Sequence, residues 1–273
     1  MFSVVAFAVL TPSIEAGTGF STAKVATIAS VYFLVFAFAQ LAAGNLIDRW
    51  GARKVLTISA IISTVGGVAF AVSSSFIVLL LARGVMGLGL SAAFVGAIYV
   101  SRTSFHESKF AFMSGLVQFA ANIGGTVGSI AVASLEYSSV ILISACANLA
   151  IAGLLLVVIR RPALAPTASV SAYSPALRSR NVWLGSFFFA GTFGTLVALA
   201  DFWAVPMLDR HGHDLPTIGL LNAMLPAGTA IGALAAGWAA RRFGRVVPLC
   251  RFVAGFSLVC TALFVLQGEA SPA

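Results

Sequence analysis

The chain has 273 residues, of which 60% are hydrophobic and 9% charged, and its formal net charge is +8. Soluble domains carry about 25% charged residues, so a surface this apolar is suited to a lipid bilayer. The 16 Lys and Arg residues are spread between apolar stretches instead of forming one patch, which argues against nucleic acid as a partner. The composition therefore predicts an all-α polytopic membrane protein whose first partner is the lipid bilayer.

Nine apolar runs follow one another along the chain, separated by short polar breaks. They cover residues 2–14, 23–43, 55–73, 76–100, 110–134, 138–159, 183–207, 215–236 and 246–267. A membrane-spanning helix needs about 20 residues, so the first run predicts a partial span and the other eight predict full spans. We therefore expect about nine transmembrane segments.

The longest break, Arg160–Arg180, contains three prolines among Ala, Ser and Thr residues. This composition is typical of a flexible linker between two packed units. The break divides the chain into an N-terminal helical bundle (1–160), a linker (161–181) and a partial C-terminal bundle (182–273).

The positions of the basic residues predict the orientation of the helices in the membrane. If every second loop faces the cytoplasm, beginning with residues 44–54, that side receives 13 of the 16 Lys and Arg residues. Cytoplasmic loops are enriched in Lys and Arg. We therefore expect a multi-pass protein of the plasma membrane, a bacterial inner membrane, with the 44–54 loop in the cytoplasm and residues 161–181 as a cytoplasmic linker.

A sequence repeat relates the two parts of the chain. The segment Leu41–Gly44 (LAAG) recurs as Leu234–Gly237, 193 residues later, and the Arg-aromatic-Gly segment ending at Gly51 recurs ending at Gly244. Parallel repeats are found in one large class of transporters. At this offset the first helix lacks its opening turns, and three further helices would follow Ala273. The repeat thus predicts a truncated chain.

The segment Gly44–Lys54 (GNLIDRWGARK) resembles the signature loop between helices two and three of the major facilitator superfamily, G-x-L-x-D-R-x-G-R-K. The resemblance implies a gating loop made by Gly44, Asp48, Arg49, Gly51, Arg53 and Lys54. The segment Gly237–Arg245 is similar to the weaker second copy of this loop and contributes Gly237, Arg241, Arg242, Gly244 and Arg245. Leu79–Gly89 looks like the helix-four motif of the same family, with Met86 where a Gln is usual.

The resemblance implies two helical bundles related by a pseudo-twofold axis, and a loop that latches them together through helix eleven in the outward-facing state. Elementary backbone geometry agrees with the glycine positions. Gly44 would let the end of its helix approach a neighbour closely, and Gly51 would permit a tight turn. The alternative is that residues 44–54 form only a basic turn that sets the orientation.

Arg83 lies inside the fourth apolar run. An Arg at the centre of a bilayer costs about 2.5–3.5 kcal/mol on insertion scales, so it is expected to be paired or to face water. The resemblance associates this position with proton coupling or with a charge on the substrate. The alternative is that Arg83 extends its side chain to the lipid headgroups.

Asp201 is the one acidic residue well inside an apolar run. It is a candidate to carry a coupling proton or to meet a cationic substrate; alternatively, it caps a helix that is broken near Pro206. Glu15 follows Pro12 and is interpreted as a structural residue at the rim. Gln118 and Asn122, four residues apart, share one face of helix five and are candidates either to line a cavity or to form hydrogen bonds between helices.

These observations predict a secondary active transporter that moves a small solute by alternating access, with protons as the candidate coupling ion. The alternative is a truncated, receptor-like or assembly-type membrane protein on the same scaffold that does not transport. The sequence contains no nucleophile–base pair, metal-ligand spacing or phosphate-binding loop. An enzyme, a cofactor and a metal site are therefore not predicted, and the oligomeric state is left open.

Overall fold

The computed structural model describes residues 2–131, 136–159, 178–244 and 246–269, and these residues form nine consecutive helices. The helices are α1 (Phe2–Thr18), α2 (Thr22–Trp50), α3 (Ala52–Ala71), α4 (Phe76–Ser104), α5 (Glu107–Ala131), α6 (Tyr137–Val158), α7 (Arg180–Arg210), α8 (Leu215–Phe243) and α9 (Val246–Glu269). Residues 161–177, which are most of the predicted linker (161–181), lie outside the described residues.

Seven of the described helices, α2 to α8, are long and apolar enough to cross a membrane. Helix α1 has 17 residues, fewer than the about 20 that a full span needs. Among the residues of α9 whose side chains are described, the apolar stretch is Cys250–Val259, which is shorter than a membrane span. The prediction of eight full spans was therefore slightly too high for the described part of the chain.

Large apolar side chains cover the outside of the helices. Phe38 is 68% exposed, Val157 79% and Phe252 71%. Such a surface would be unfavourable in water, but hydrocarbon needs no polar cover. The exposed faces therefore correspond to a lipid-facing surface.

The helix boundaries confirm the sequence repeat. Helices α2 and α8 each have 29 residues, and both ends of α8 lie 193 positions after the ends of α2. Each helix ends at a glycine with positive φ, 81° at Gly51 and 62° at Gly244. The two segments thus have the same length and the same kind of end.

Two clusters of buried apolar residues mark the two ends of the bundle. One cluster joins Ala43 and Ile47 of α2 to Val55 of α3 and Ala92 of α4. We call this the basic end, because it carries the 44–54 loop. The larger cluster joins α1, the beginnings of α2 and α4, and Val205 of α7; we call this the opposite end.

Glycines bring α4 into direct backbone contact with its neighbours. A Cβ at Gly87 would lie 2.5 Å from the carbonyl oxygen of Tyr32 in α2, and a Cβ at Gly66 of α3 would lie 2.8 Å from the carbonyl oxygen of Ala82. Small residues allow such close approach of helices in membranes. The glycines of the helix-four motif therefore hold α4, and Arg83 with it, against α2 and α3.

Helices α5 and α8 form the most extensive helix pair and connect the two halves of the chain. They cross at two glycines near the basic end. A Cβ at Gly115 would lie 2.6 Å from the carbonyl oxygen of Ala233, and a Cβ at Gly237 would lie 3.0 Å from that of Ala111. The crossing has no room for a methyl group without movement of the backbone.

Candidate functional site

Arg83 is enclosed by aromatic rings from two other helices. Its guanidinium carbon lies 4.2 Å from the centroid of the Phe7 ring in α1 and 4.5 Å from that of the Tyr32 ring in α2. Arg83 is 1% exposed. Guanidinium groups stack favourably on aromatic faces, most strongly when desolvated. The ring contacts therefore offset part of the cost of burying this charge.

This arrangement excludes the alternative that Arg83 reaches the lipid headgroups, since its side chain lies inside the bundle. The aromatic contacts continue toward α7: the Tyr32 ring packs edge-on against Phe33, at 5.3 Å between centroids, and Phe33 packs against Phe202 at 5.5 Å. Residue 202 is the neighbour of Asp201. The aromatic rings thus connect Arg83 in the first half with α7 in the second half.

Asp201 lies in a π-helical turn, Leu199–Trp203, within α7. The helix continues through this turn and through Pro206 to Arg210. The interpretation of Asp201 as the cap of a helix broken near Pro206 was therefore wrong. A π turn widens the helix by one residue and is frequent at functional sites.

Asp201 and Arg83 attract each other electrostatically, although they belong to different halves of the chain. Phe7 connects their surroundings, since its ring contacts Arg83 and also lines the cavity that Asp201 lines. The structure thus brings together the two intramembrane charges that the sequence predicted separately.

A cavity of ≈ 290 Å³ lies at the opposite end, between α1, α2 and α7. Its lining includes Ala8 and Asp201, which are 193 positions apart and so occupy equivalent places in the repeat. The charged residues in the lining are Glu15, Asp201, Asp209 and Arg210. The cavity therefore lies between equivalent parts of α1 and α7 and is lined by three acids and one base.

Two of these acids have incomplete hydrogen bonding. Glu15 Oε1 and Asp201 Oδ1 are buried, and neither accepts a hydrogen bond within the described residues. A buried carboxylate oxygen without a donor is unfavourable. Glu15, which the sequence suggested to be structural, lines this cavity.

Asn122 is fully buried in α5, and its Nδ2 donates to the carbonyl oxygen of Gln118, at 2.8 Å. This bond lies within one helix and not between helices. Asn122 Oδ1 has no hydrogen-bond donor among the described residues. Neither Gln118 nor Asn122 lines the cavity described above, so a role in solute binding is still a prediction.

The first gating loop, at the basic end, agrees only in part with its expected geometry. Gly51 has the positive φ of a tight turn, as expected. A Cβ at Gly44 would meet no atom within 4 Å, so the expected close approach of a neighbour at Gly44 is not found in the described part of the chain. Asp48 and Arg49 are exposed, Arg53 is half-buried, and Lys54 lies 5.8 Å from the Trp50 ring.

In the second copy the close approach occurs. Gly237 packs on the backbone of α5, and the Arg241 guanidinium carbon lies 6.0 Å from the Phe112 ring of the same helix. Arg242 is exposed, and Gly244 ends the helix in the left-handed conformation. Arg245 lies outside the described residues.

The sequence did not single out Phe7 and Tyr32. Aromatic residues are frequent in apolar runs, so nothing in the pattern distinguished these two from other core residues. No group of three His, Cys, Asp or Glu side chains in the described ranges has the geometry of a metal site.

Comparison with known proteins identifies the family. The profile of the Major Facilitator Superfamily matches residues 1–272. The 4-hydroxybenzoate transporter PcaK of Pseudomonas aeruginosa is 25% identical over 296 residues, which cover 92% of this chain and 66% of PcaK. The probable sulfoacetate transporter SauU of Cupriavidus necator is 26% identical over 119 residues, 44% of this chain and 28% of SauU.

Among solved structures, a bacterial homologue of the human lysosomal transporter Spinster, in an inward-facing and occupied conformation, has a similar fold. The TM-score is 0.64 at 19% identity, and the match covers 89% of this chain and 59% of that chain. The chain thus spans about two thirds of the length of PcaK and less of the Spinster homologue. With the family profile matched over almost its whole length, this multi-pass chain belongs to the major facilitator superfamily of membrane transporters.

Proposed function

We propose that this chain forms the solute pathway of a secondary active transporter that moves a small organic anion by alternating access, coupled to protons. The main support is the geometry around the Phe7 ring, which contacts Arg83 of α4 and lines the same cavity as Asp201 of α7. Opposite charges from the two halves of the chain thus lie beside one seam between α1, α2 and α7. In repeat-built transporters, substrate and coupling ions bind between the two repeats.

In the proposed cycle the charge on Asp201 controls whether the halves are held together at the opposite end. When Asp201 is ionised, its attraction to Arg83 favours the packed arrangement, because opposite charges interact strongly away from water. When Asp201 takes up a proton, that attraction is lost and the halves are free to separate. The other ionisable groups near Asp201 include Tyr32, Glu15, Asp209, Arg210 and the N-terminal amino group.

The substrate class rests on the two relatives. PcaK is named for 4-hydroxybenzoate and SauU for sulfoacetate, and both compounds carry a carboxylate. We extend this class to the present chain as a small organic acid. A fold alone does not determine a ligand, so uptake measurements have to identify the compound.

The separation of the cavity from the glycine crossing supports alternating access. The cavity lies at the opposite end, between α1, α2 and α7, and the α5–α8 crossing lies near the basic end. Both connect the two halves of the chain. Transport requires one end to open while the other closes. In our proposal the walls of the cavity separate at the opposite end when the α5–α8 crossing is packed, and the reverse holds in the other state.

The test is uptake by the reconstituted protein. Proteoliposomes contain the 273-residue chain or a version extended by the three helices that the repeat predicts, and they receive labelled 4-hydroxybenzoate or sulfoacetate with or without an inward proton gradient. We expect the proton gradient to drive accumulation of the labelled acid by at least one of these two forms. Asp201→Asn should abolish accumulation driven by the gradient and retain exchange of solute at equal pH, because a permanently neutral side chain carries no proton.

Asp214→Asn is the matched control, because Asp214 is exposed and does not line the cavity. It should transport like the unmodified protein. Accumulation by Asp201→Asn that still follows the proton gradient would contradict the coupling role. Absence of uptake and of exchange by both forms, with these and related organic acids, would favour the non-transporting alternative.

A further inference from the structure

The turn that joins α8 and α9, at the basic end, carries a positive charge that its own sequence does not balance. Residues 215–268 contain four arginines and no Asp, Glu or Lys. Three of these arginines, Arg241, Arg242 and Arg251, are exposed. The repeat makes position 241 the counterpart of Asp48, 193 residues earlier. The second copy thus has an arginine where the first has an acid, and the result is a surface that attracts anions.

An exposed aromatic pair lies beside these charges. Trp238 and Phe243 of α8 are 56% and 66% exposed, and their rings pack edge-on at 6.1 Å between centroids. Arg242 follows Trp238 by four residues and therefore shares its face of the helix. Tryptophan rings are enriched at the membrane–water interface, at the level of the lipid headgroups. The end of α8 thus presents a cation next to aromatic rings, which matches the phosphate and the adjoining hydrocarbon of a phospholipid.

Arg251 lies on α9 as far from the turn as Trp238 lies on α8. Trp238 is five residues before the last residue of α8, and Arg251 is five residues after the first residue of α9. At about 1.5 Å per residue, each is about 7–8 Å from the turn. An arginine at that depth in lipid extends its side chain to the headgroup layer. A phosphate is a strong partner there, because a guanidinium group binds it through two parallel hydrogen bonds.

Additional helices after α9 would not cover this surface if they repeat the arrangement of the first half. There, α4 packs against both helices of the equivalent hairpin, α2 and α3. Arg49 and Trp50 at the end of α2 are nevertheless exposed. Their counterparts, 193 residues later, are Arg242 and Phe243. The surface at the end of α8 is therefore open to lipid in the present chain and in a longer one of this arrangement.

We propose that the α8–α9 turn binds an anionic phospholipid, with Arg242 on its phosphate and its acyl chains beside Trp238 and Phe243. Arg241 and Arg251 contribute further positive charge. A zwitterionic lipid has the same phosphate but adds an ammonium group that these arginines repel, so the site distinguishes the two lipid classes. This site lies on the outer surface of α8 and rests on charge and exposure, not on transport. Lipid-binding measurements therefore test it separately from the proposed function.

The experiment measures contact between lipid and Trp238 in the full 273-residue chain. The other three tryptophans are first removed by Trp50→Phe, Trp183→Phe and Trp203→Phe. This protein is reconstituted in phosphatidylcholine vesicles with increasing mole fractions of brominated phosphatidylglycerol or brominated phosphatidylcholine, because bromine quenches tryptophan fluorescence on contact. We expect stronger quenching by phosphatidylglycerol at each mole fraction. Arg242→Gln and Arg251→Gln should each lower its apparent affinity about fivefold, the effect of one basic residue near an anionic headgroup.

Two variants control for the fold and for the general charge of the membrane surface. Arg242→Lys keeps the charge and should retain most of the affinity, and a thermal unfolding curve identifies any variant that has lost its fold. Arg102→Gln removes an exposed arginine at the basic end of α4 and should leave the quenching of Trp238 unchanged. Equal quenching by the two brominated lipids, or equal effects of Arg242→Gln and Arg102→Gln, would overturn the proposal. Loss of the phosphatidylglycerol effect in phosphate buffer of the same ionic strength would also overturn it, because a soluble anion would then be the ligand.

Discussion

The two copies of the LAAG segment have the same sequence and different surroundings. Each copy lies near the end of a 29-residue helix, and each helix ends at a glycine with positive φ, Gly51 or Gly244. Gly237, in the second copy, packs against the backbone of α5, whereas a Cβ at its counterpart Gly44 would meet no atom within 4 Å. The comparison shows that a repeated sequence reproduces the helix and its end, while the contact also requires a partner helix on that face.

The contact has a physical consequence for the whole chain. Helices α5 and α8 belong to different halves and form the most extensive helix pair. Association of helices in a membrane depends on close packing, because lipid is as apolar as the side chains. Gly115 and Gly237 therefore contribute to holding the two halves together, and Gly44 in the described structure does not.

The largest effect is expected for Gly115→Ala. The added Cβ would lie 2.6 Å from the carbonyl oxygen of Ala233, so one backbone has to move, and overpacking of this kind costs about 1–3 kcal/mol. We expect a loss of stability near the upper end of this range. The measurement is the unfolding temperature of the detergent-solubilised protein, monitored by tryptophan fluorescence, and it should fall. Gly153→Ala in α6 is the matched control, because its Cβ would meet no atom within 4 Å; equal shifts for both variants would contradict the tight crossing.

A smaller effect is expected at the two helix ends, where the copies differ in detail. Gly51 has φ 81° and ψ 147°, a region open almost only to glycine, and Gly244 has φ 62° and ψ 4°, the left-handed region that Asn tolerates. Gly51→Asn should therefore destabilise the protein by about 2 kcal/mol and Gly244→Asn by less. The unfolding temperatures of the two variants measure this difference. A larger loss of stability for Gly244→Asn than for Gly51→Asn would contradict the argument from backbone conformation.

The direct comparison of the two copies is Gly237→Ala against Gly44→Ala. At Gly237 the Cβ would lie 3.0 Å from the Ala111 carbonyl oxygen, and we expect a loss of about 1 kcal/mol. At Gly44 the same change meets open space and should be neutral or stabilising by up to about 1 kcal/mol, because alanine favours a helix more than glycine does. Equal destabilisation in the unfolding curves would show that Gly44 also has a packing partner.

The smallest loss of stability is expected when the cation–aromatic contacts of the two loops are removed. Lys54 lies over Trp50 and Arg241 over Phe112, and both cations are exposed. Such contacts contribute about 0.5–1 kcal/mol at exposed sites. Arg241→Gln should lower the free energy of unfolding slightly more than Lys54→Gln, because it also removes a contact between α8 and α5. The opposite order would weaken the interpretation of the second loop as a connection between the halves.

Several parts of the candidate site could be predicted from the sequence. Arg83 and Asp201 were recognised because a charge inside an apolar run is costly and therefore informative. Their mutual attraction could not be predicted, since they are 118 positions apart (83 to 201) and no local pattern connects them. Phe7 and Tyr32 were missed because an aromatic residue in a membrane helix has many equivalent environments.

The sequence by itself determined the helical fold, the repeat at 193 positions and the family, because hydrophobic run length, glycine turns and loop motifs are local properties. The tertiary structure alone decided which glycine packs on a neighbouring helix, where Arg83 is buried, and that Glu15 and Asp201 line one cavity. The physical reason is that these properties depend on contacts between helices distant in sequence. Helix periodicity limits which faces are available, and packing selects the partner for each face.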